Sequence, residues 1–130
     1  MEFNRNTSAM NNVPSQQLGV APMSAKGLDL QNIEYELIIA DLNKAIELSP
    51  RFGYAYYNRA NIQFALDNVN AAIDDYTEAI KLQPDMADAY FNRGLAYIKA
   101  GNEKAGRDDL SKAGEMGVMA AYNILKRIEE

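Results

Sequence analysis

The chain has 130 residues, a formal net charge of −5 from 18 acidic and 13 basic side chains, and neither cysteine nor histidine. That composition excludes disulfides, thiolate metal sites, cysteine nucleophiles and any arrangement built on a histidine base, so neither enzyme activity nor a cofactor or metal is expected. The acidic balance argues against a nucleic-acid surface, and no run approaches the roughly 20 apolar residues of a membrane span.

Residues 1–28 carry Asn4, Asn6, Asn11, Asn12, Pro14, Gly19, Pro22 and Gly27 without a helical period, and read as an extended or disordered arm. Asparagine and glutamine stand where a signal peptide has its apolar stretch, so the chain as written reads as cytoplasmic. From Asp29 the pattern changes, with Leu30, Ile33, Leu37, Ile38, Leu42, Ala45 and Ile46 recurring every three or four residues up to Ser49-Pro50. Further amphipathic helices are predicted at about 53–66, 70–82, 87–100, 103–116 and 119–130. Connections between them are short, which favours antiparallel packing. Strand signals are absent and the predicted class is all-α.

"YYNRA" at Tyr56–Ala60 returns as "YFNRG" at Tyr90–Gly94, and Pro50 returns as Pro84, both thirty-four residues on. A fixed period of this size marks a repeat architecture. In the block 53–86 the recurring positions hold Tyr56, Ala60, Ala72, Tyr76, Ala79 and Pro84; in the next they hold Tyr90, Gly94, Gly106, Leu110, Ala113 and Val118. Small residues let two helices approach and aromatic ones fill the space beside them, so these side chains read as core. Enlarging a socket, as in Ala72→Leu or Gly94→Leu, is expected to cost about 1 to 3 kcal/mol.

This order of aromatic, small and proline positions resembles the tetratricopeptide repeat family, of bacterial type. The resemblance covers residues 29–130 and implies an α-α superhelix of about two and a half repeats with a capping helix: a half-repeat 29–52, repeats 53–86 and 87–118, and a cap 119–130. In the last repeat Gly106 replaces a better helix former, at about 1 kcal/mol, and Val118 replaces the closing proline. Tyr122, Leu125 and Ile128 form the apolar stripe of the cap, the terminal unit a solenoid requires. The half-repeat leaves the face of helix 29–48 in want of cover, by the arm, a second copy, or upstream repeats.

The resemblance further implies a concave groove lined by the first helices of the repeats. On one stripe lie Tyr54, Tyr57, Asn58, Asn61, Phe64 and Ala65, and the matching stripe holds Asp88, Phe91, Asn92, Leu95, Ile98 and Lys99. Tyr56, Ala60 and Gln63 lie on the opposite, packing side. Asparagine carries both donor and acceptor for an extended peptide, and the aromatic side chains supply contact area at low entropic cost. Some members of the family hold an acidic carboxyl terminus in a carboxylate clamp. Here Asn61 and Asn92 fall at its asparagine places and Lys126 near a third, but Tyr57 stands where the first lysine belongs.

Asp74-Asp75 and Asp108-Asp109 read as solvated faces, since neighbouring helical residues point about 100 degrees apart and cannot share a proton. Asp108 with Lys112 and Glu103 with Arg107 read as surface pairs. Arg59 and Arg93 occupy a place where the family usually has leucine; their stems would cover a helix interface while the guanidinium reaches water or a carboxylate. The function expected is a protein or peptide interaction module. The alternative is a self-associating structural domain, or the end of a longer array, as a homo-oligomer or with the arm covering the half-repeat.

Overall fold

The computed structural model describes residues 29–129, and the arm predicted at 1–28 lies outside them. Among the described residues six helices follow one another: α1 Leu30–Leu48, α2 Gly53–Ala65, α3 Val69–Leu82, α4 Ala87–Lys99, α5 Glu103–Glu115 and α6 Met119–Glu129. Each agrees with its predicted extent to within a residue or two, and no strand occurs among the described residues. The first turn of α1, up to Glu34, falls in an amino-terminal unit and Tyr35–Glu130 in a second. Asp29 caps that first turn, its carboxylate accepting from the Gln31 and Asn32 amides at 3.0 and 3.4 Å.

Within the second unit, α2 packs on α3, α3 on α4, α4 on α5 and α5 on α6. Two core clusters hold these contacts together. Ala60, Ala72, Tyr76, Ala79, Ile80, Met86, Ala89 and Ala96 form one, and Leu110, Ala113 and Ala121 the other. The alanine content lets helix backbones come close, and the crossing of α4 on α5 is closer still. A Cβ added to Gly106 would lie 2.5 Å from Ile98 Cγ1 and 2.8 Å from the Gly94 carbonyl oxygen. Gly106 is therefore a packing requirement as well as a poor helix former.

Two kinds of turn alternate. Between α2 and α3, and between α4 and α5, the chain passes through a left-handed residue, Asp67 at φ 67° and Gly101 at φ 93°. The amide three residues past each helix then closes back on it, Asn68 on the Gln63 carbonyl at 2.8 Å and Asn102 on Tyr97 at 2.9 Å. The proline turns differ. There Phe52 and Met86 lead into α2 and α4, and their carbonyls accept from the Ala55 and Ala89 amides at 3.1 and 3.0 Å.

The link into α6 departs from the thirty-four-residue period. Gly117 takes up the left-handed φ of 105°, and Val118 N–H closes on the Ala113 carbonyl at 2.9 Å, as in the turns inside a repeat. Val118 therefore does not stand in the place of Pro84. It precedes buried Ala121 by three residues, as Phe52 precedes Ala55 and Met86 precedes Ala89. The two-residue slip moves the stripe of the cap as well. Ala121, Ile124, Leu125 and Ile128 face the core, while Tyr122 is exposed except where its ring lies over Gly114.

Candidate peptide-binding groove

The first helices of the two repeats, α2 and α4, touch directly. A hydrogen-bonded ladder of side chains joins them. The Tyr76 hydroxyl donates to Asn61 Oδ1 at 2.5 Å, the Asn92 amide donates to the same oxygen at 3.0 Å, and it also donates to the Tyr57 hydroxyl at 3.2 Å. The Tyr57 and Tyr76 rings lie tilted, 5.9 Å between centroids. Burial pushes the Tyr76 phenol far above its ordinary value, an effect increased by Tyr57 and opposed by hydrogen bonding from Asn92. Tyr76 therefore stays neutral and holds the ladder as a donor.

The ladder uses the Asn61 carbonyl and the Asn92 amino group. Among the described residues, Asn61 Nδ2 and Asn92 Oδ1 have no partner, which leaves one donor and one acceptor on a half-buried surface. Nearby, Tyr54 is exposed and its hydroxyl accepts from Gln83 Nε2 at 3.3 Å. Asn58 and Asp88 are exposed; Lys99 is exposed as well and pairs with Asp67 at 3.4 Å. Tyr57 and Phe64 pack partly against the first core cluster, Phe91 and Leu95 against the second. The stripe therefore does not part cleanly from the packing residues: it combines a half-buried aromatic floor with polar groups above it. Lys126 lies exposed on α6.

The arginines belong to the fold. Arg59 donates through Nε and Nη2 to both oxygens of Asp75, at 2.6 and 2.8 Å, and Arg93 does the same to Asp109, at 2.7 and 2.9 Å. The remaining nitrogen of each reaches back to the preceding helix, Arg59 Nη1 to Asn43 Oδ1 at 2.8 Å and Arg93 Nη1 to Thr77 Oγ1 at 3.0 Å. Each guanidinium also lies near a tyrosine ring, Arg59 at 5.7 Å from Tyr56, Arg93 at 5.7 Å from Tyr90 and 5.5 Å from Tyr97. The aspartate hydrogen bonds raise both guanidinium pKa values further, against desolvation.

Asp75 and Asp109 are thus buried acceptors rather than solvated faces. The sequence held a signal for this, because each lies sixteen residues after its arginine and shares its period. Their neighbours Asp74 and Asp108 are exposed; Asp108 pairs with Lys104 at 3.2 Å, not with Lys112, whereas Arg107 pairs with Glu103 at 3.1 Å as expected. No cluster of metal-binding side chains occurs among the described residues, nor any helix long and apolar enough to cross a membrane.

A family model described as TPR repeat matches residues 61–101. No curated protein matches the sequence. Among solved structures, the first TPR of Spaghetti (RPAP3) bound to the HSP90 peptide SRMEEVD is similar with a TM-score of 0.71 and 24% identity, over 77% of this chain and 81% of that one. One structure of MamA is similar with a TM-score of 0.64 and 31% identity, over 67% of this chain and 49% of that one. A second MamA structure gives 0.66 and 27%, over 85% and 70%. With helix pairs stacked in sequence order, socket alanines and glycines at the crossings and a repeat model matching residues 61–101, assignment to the tetratricopeptide repeat family is supported.

Proposed function

We propose that α2 and α4 present a groove that binds a protein partner through an extended peptide or a helix. The observation that carries this reading is the ladder, which leaves Asn61 Nδ2 as a donor and Asn92 Oδ1 as an acceptor. A peptide unit has the complementary N–H and C=O. Exposed Tyr54 and half-buried Tyr57, Phe64 and Phe91 supply apolar contact around it. The RPAP3 structure, which holds a peptide, supports the reading by likeness of fold.

Heptapeptides selected on the whole chain by phage display provide the test. Tyr54→Ala and Asn92→Ala should each weaken the selected peptides at least tenfold, with melting curves to verify folding. Peptides that bind both variants as they bind the wild type would place recognition elsewhere. Amidating the carboxyl terminus of the binders separates backbone recognition from a carboxylate clamp, because only a clamp loses affinity. The second reading, self-association, is supported by the exposed Leu37 and Ile38 of α1, and a dimer that survives dilution in light scattering would favour it.

A further inference from the structure

Helix α1 repeats the residue pattern of α3 thirty-four positions earlier: Ile38, Asp41, Leu42 and Ala45 stand where α3 has Ala72, Asp75, Tyr76 and Ala79. In α3 these residues are covered by α2, with Ala72, Tyr76 and Ala79 wholly buried and Asp75 held by Arg59. In α1 no residue is buried: Ile38 is 42% exposed, Leu37 beside it 63%, and Asp41 is exposed. The neighbouring register position is in use, because Asn43 already receives Arg59 as Thr77 receives Arg93. Asp41 is thus the third member of a series whose other two members each close on an arginine.

The cap shows the opposite arrangement. In α6, Leu125 follows Tyr122 by three residues, as Arg59 follows Tyr56 and Arg93 follows Tyr90. The arginine is replaced in the one such helix that has no following helix to receive it among the described residues, whereas α1 keeps its aspartate.

We propose that the Asp41 face of α1 is a docking surface for a partner α-helix carrying the pattern Tyr-x-x-Arg-Gly, whose guanidinium closes on Asp41 as Arg59 closes on Asp75. Glycine is required after the arginine because Ile38 fills the socket that Ala72 and Gly106 leave open. Leu37, where α3 has the small exposed Ala71, adds apolar area beside it. A folded second copy does not supply this helix, since its Arg59 and Arg93 already hold their own aspartates. Within the chain, the place sixteen residues before Asp41 is Ala25, and no arginine lies between Arg5 and Arg51.

The test is fluorescence anisotropy on the whole chain with a labelled, lactam-bridged helical peptide of the sequence 53–66 carrying Ala60→Gly. Binding is expected, with a loss of at least tenfold for Asp41→Asn and none for the exposed control Asp74→Asn. An Asp41→Arg chain should prefer the peptide whose Arg59 is changed to aspartate. Equal affinity of Asp41→Asn and wild type, or no binding at millimolar peptide, overturns the proposal. A dimer in light scattering that Asp41→Asn dissolves also overturns it, by giving the surface to a second copy.

Discussion

The two complete repeats are built to one plan, yet the second is the tighter. Ala60 meets α3 where Gly94 meets α5, and Ala72 has become Gly106. Arg59 has a tyrosine on one side, whereas Arg93 lies between Tyr90 and Tyr97, because Gln63 takes the place of Tyr97 in the first repeat. The Gln63 Oε1 is enclosed without a hydrogen-bond partner among the described residues. The difference teaches that the same ion pair is enclosed to a different degree by the walls around it. The second repeat uses glycine and a second ring to close those walls.

The largest contrast is expected at the arginines. Arg93→Met strands the Asp109 carboxylate, whose side chain is 9% exposed, and should cost about 3 to 5 kcal/mol in chemical denaturation. Arg59→Met should cost less, since that side chain is 22% exposed against 16% for Arg93. Equal losses would show that the second ring adds nothing. Next comes the crossing. Helix propensity alone says that Gly106→Ala gains about 1 kcal/mol, but the contacts a Cβ would make at Ile98 and Gly94 turn this into a loss of about 1 to 3 kcal/mol. The sign of the shift in melting temperature decides between them.

A smaller effect, in the stabilising direction, is expected for Gln63→Tyr. It copies Tyr97, removes an enclosed acceptor without a partner and adds a ring near Arg59, for about 1 kcal/mol. The smallest is Asp67→Gly. Its φ of 67° is the left-handed one that Gly101 takes freely, so the change should gain at most a few tenths of a kcal/mol, offset in part by the entropy of a new glycine in the unfolded chain and by loss of the exposed pair with Lys99. Thermal melts of the two variants, alone and combined, show whether the first repeat can be brought to the stability of the second.

Much of this was legible in the sequence. The helices were set by apolar spacing and by Pro50, Pro84 and Gly101, and the sockets by the recurrence of small residues. The ion pairs were harder to read, because periodicity identifies which face a residue occupies but not whether a charge on that face is covered. Asp74 and Asp75 are adjacent acids with opposite fates, one exposed and one enclosed by an arginine sixteen residues away. The slip at Gly117 was hidden for a related reason. Counting by thirty-four put Val118 at a proline place, whereas backbone closure on Ala113 put it one turn type away. In the groove, the polar stripe was visible but the ladder was not, since Tyr76 reaches Asn61 from a different helix.

Arg59 and Arg93 each touch three helices: their own, the one after it through aspartate and the one before it through Asn43 or Thr77. A solenoid stabilised by nearest-neighbour contacts alone can fray one unit at a time. Here the loss of one helix removes a hydrogen bond from the guanidinium that steadies the next pair. The array should therefore lose its slowest-exchanging amides in α3, α4 and α5 together, as one cooperative block rather than as separate repeats.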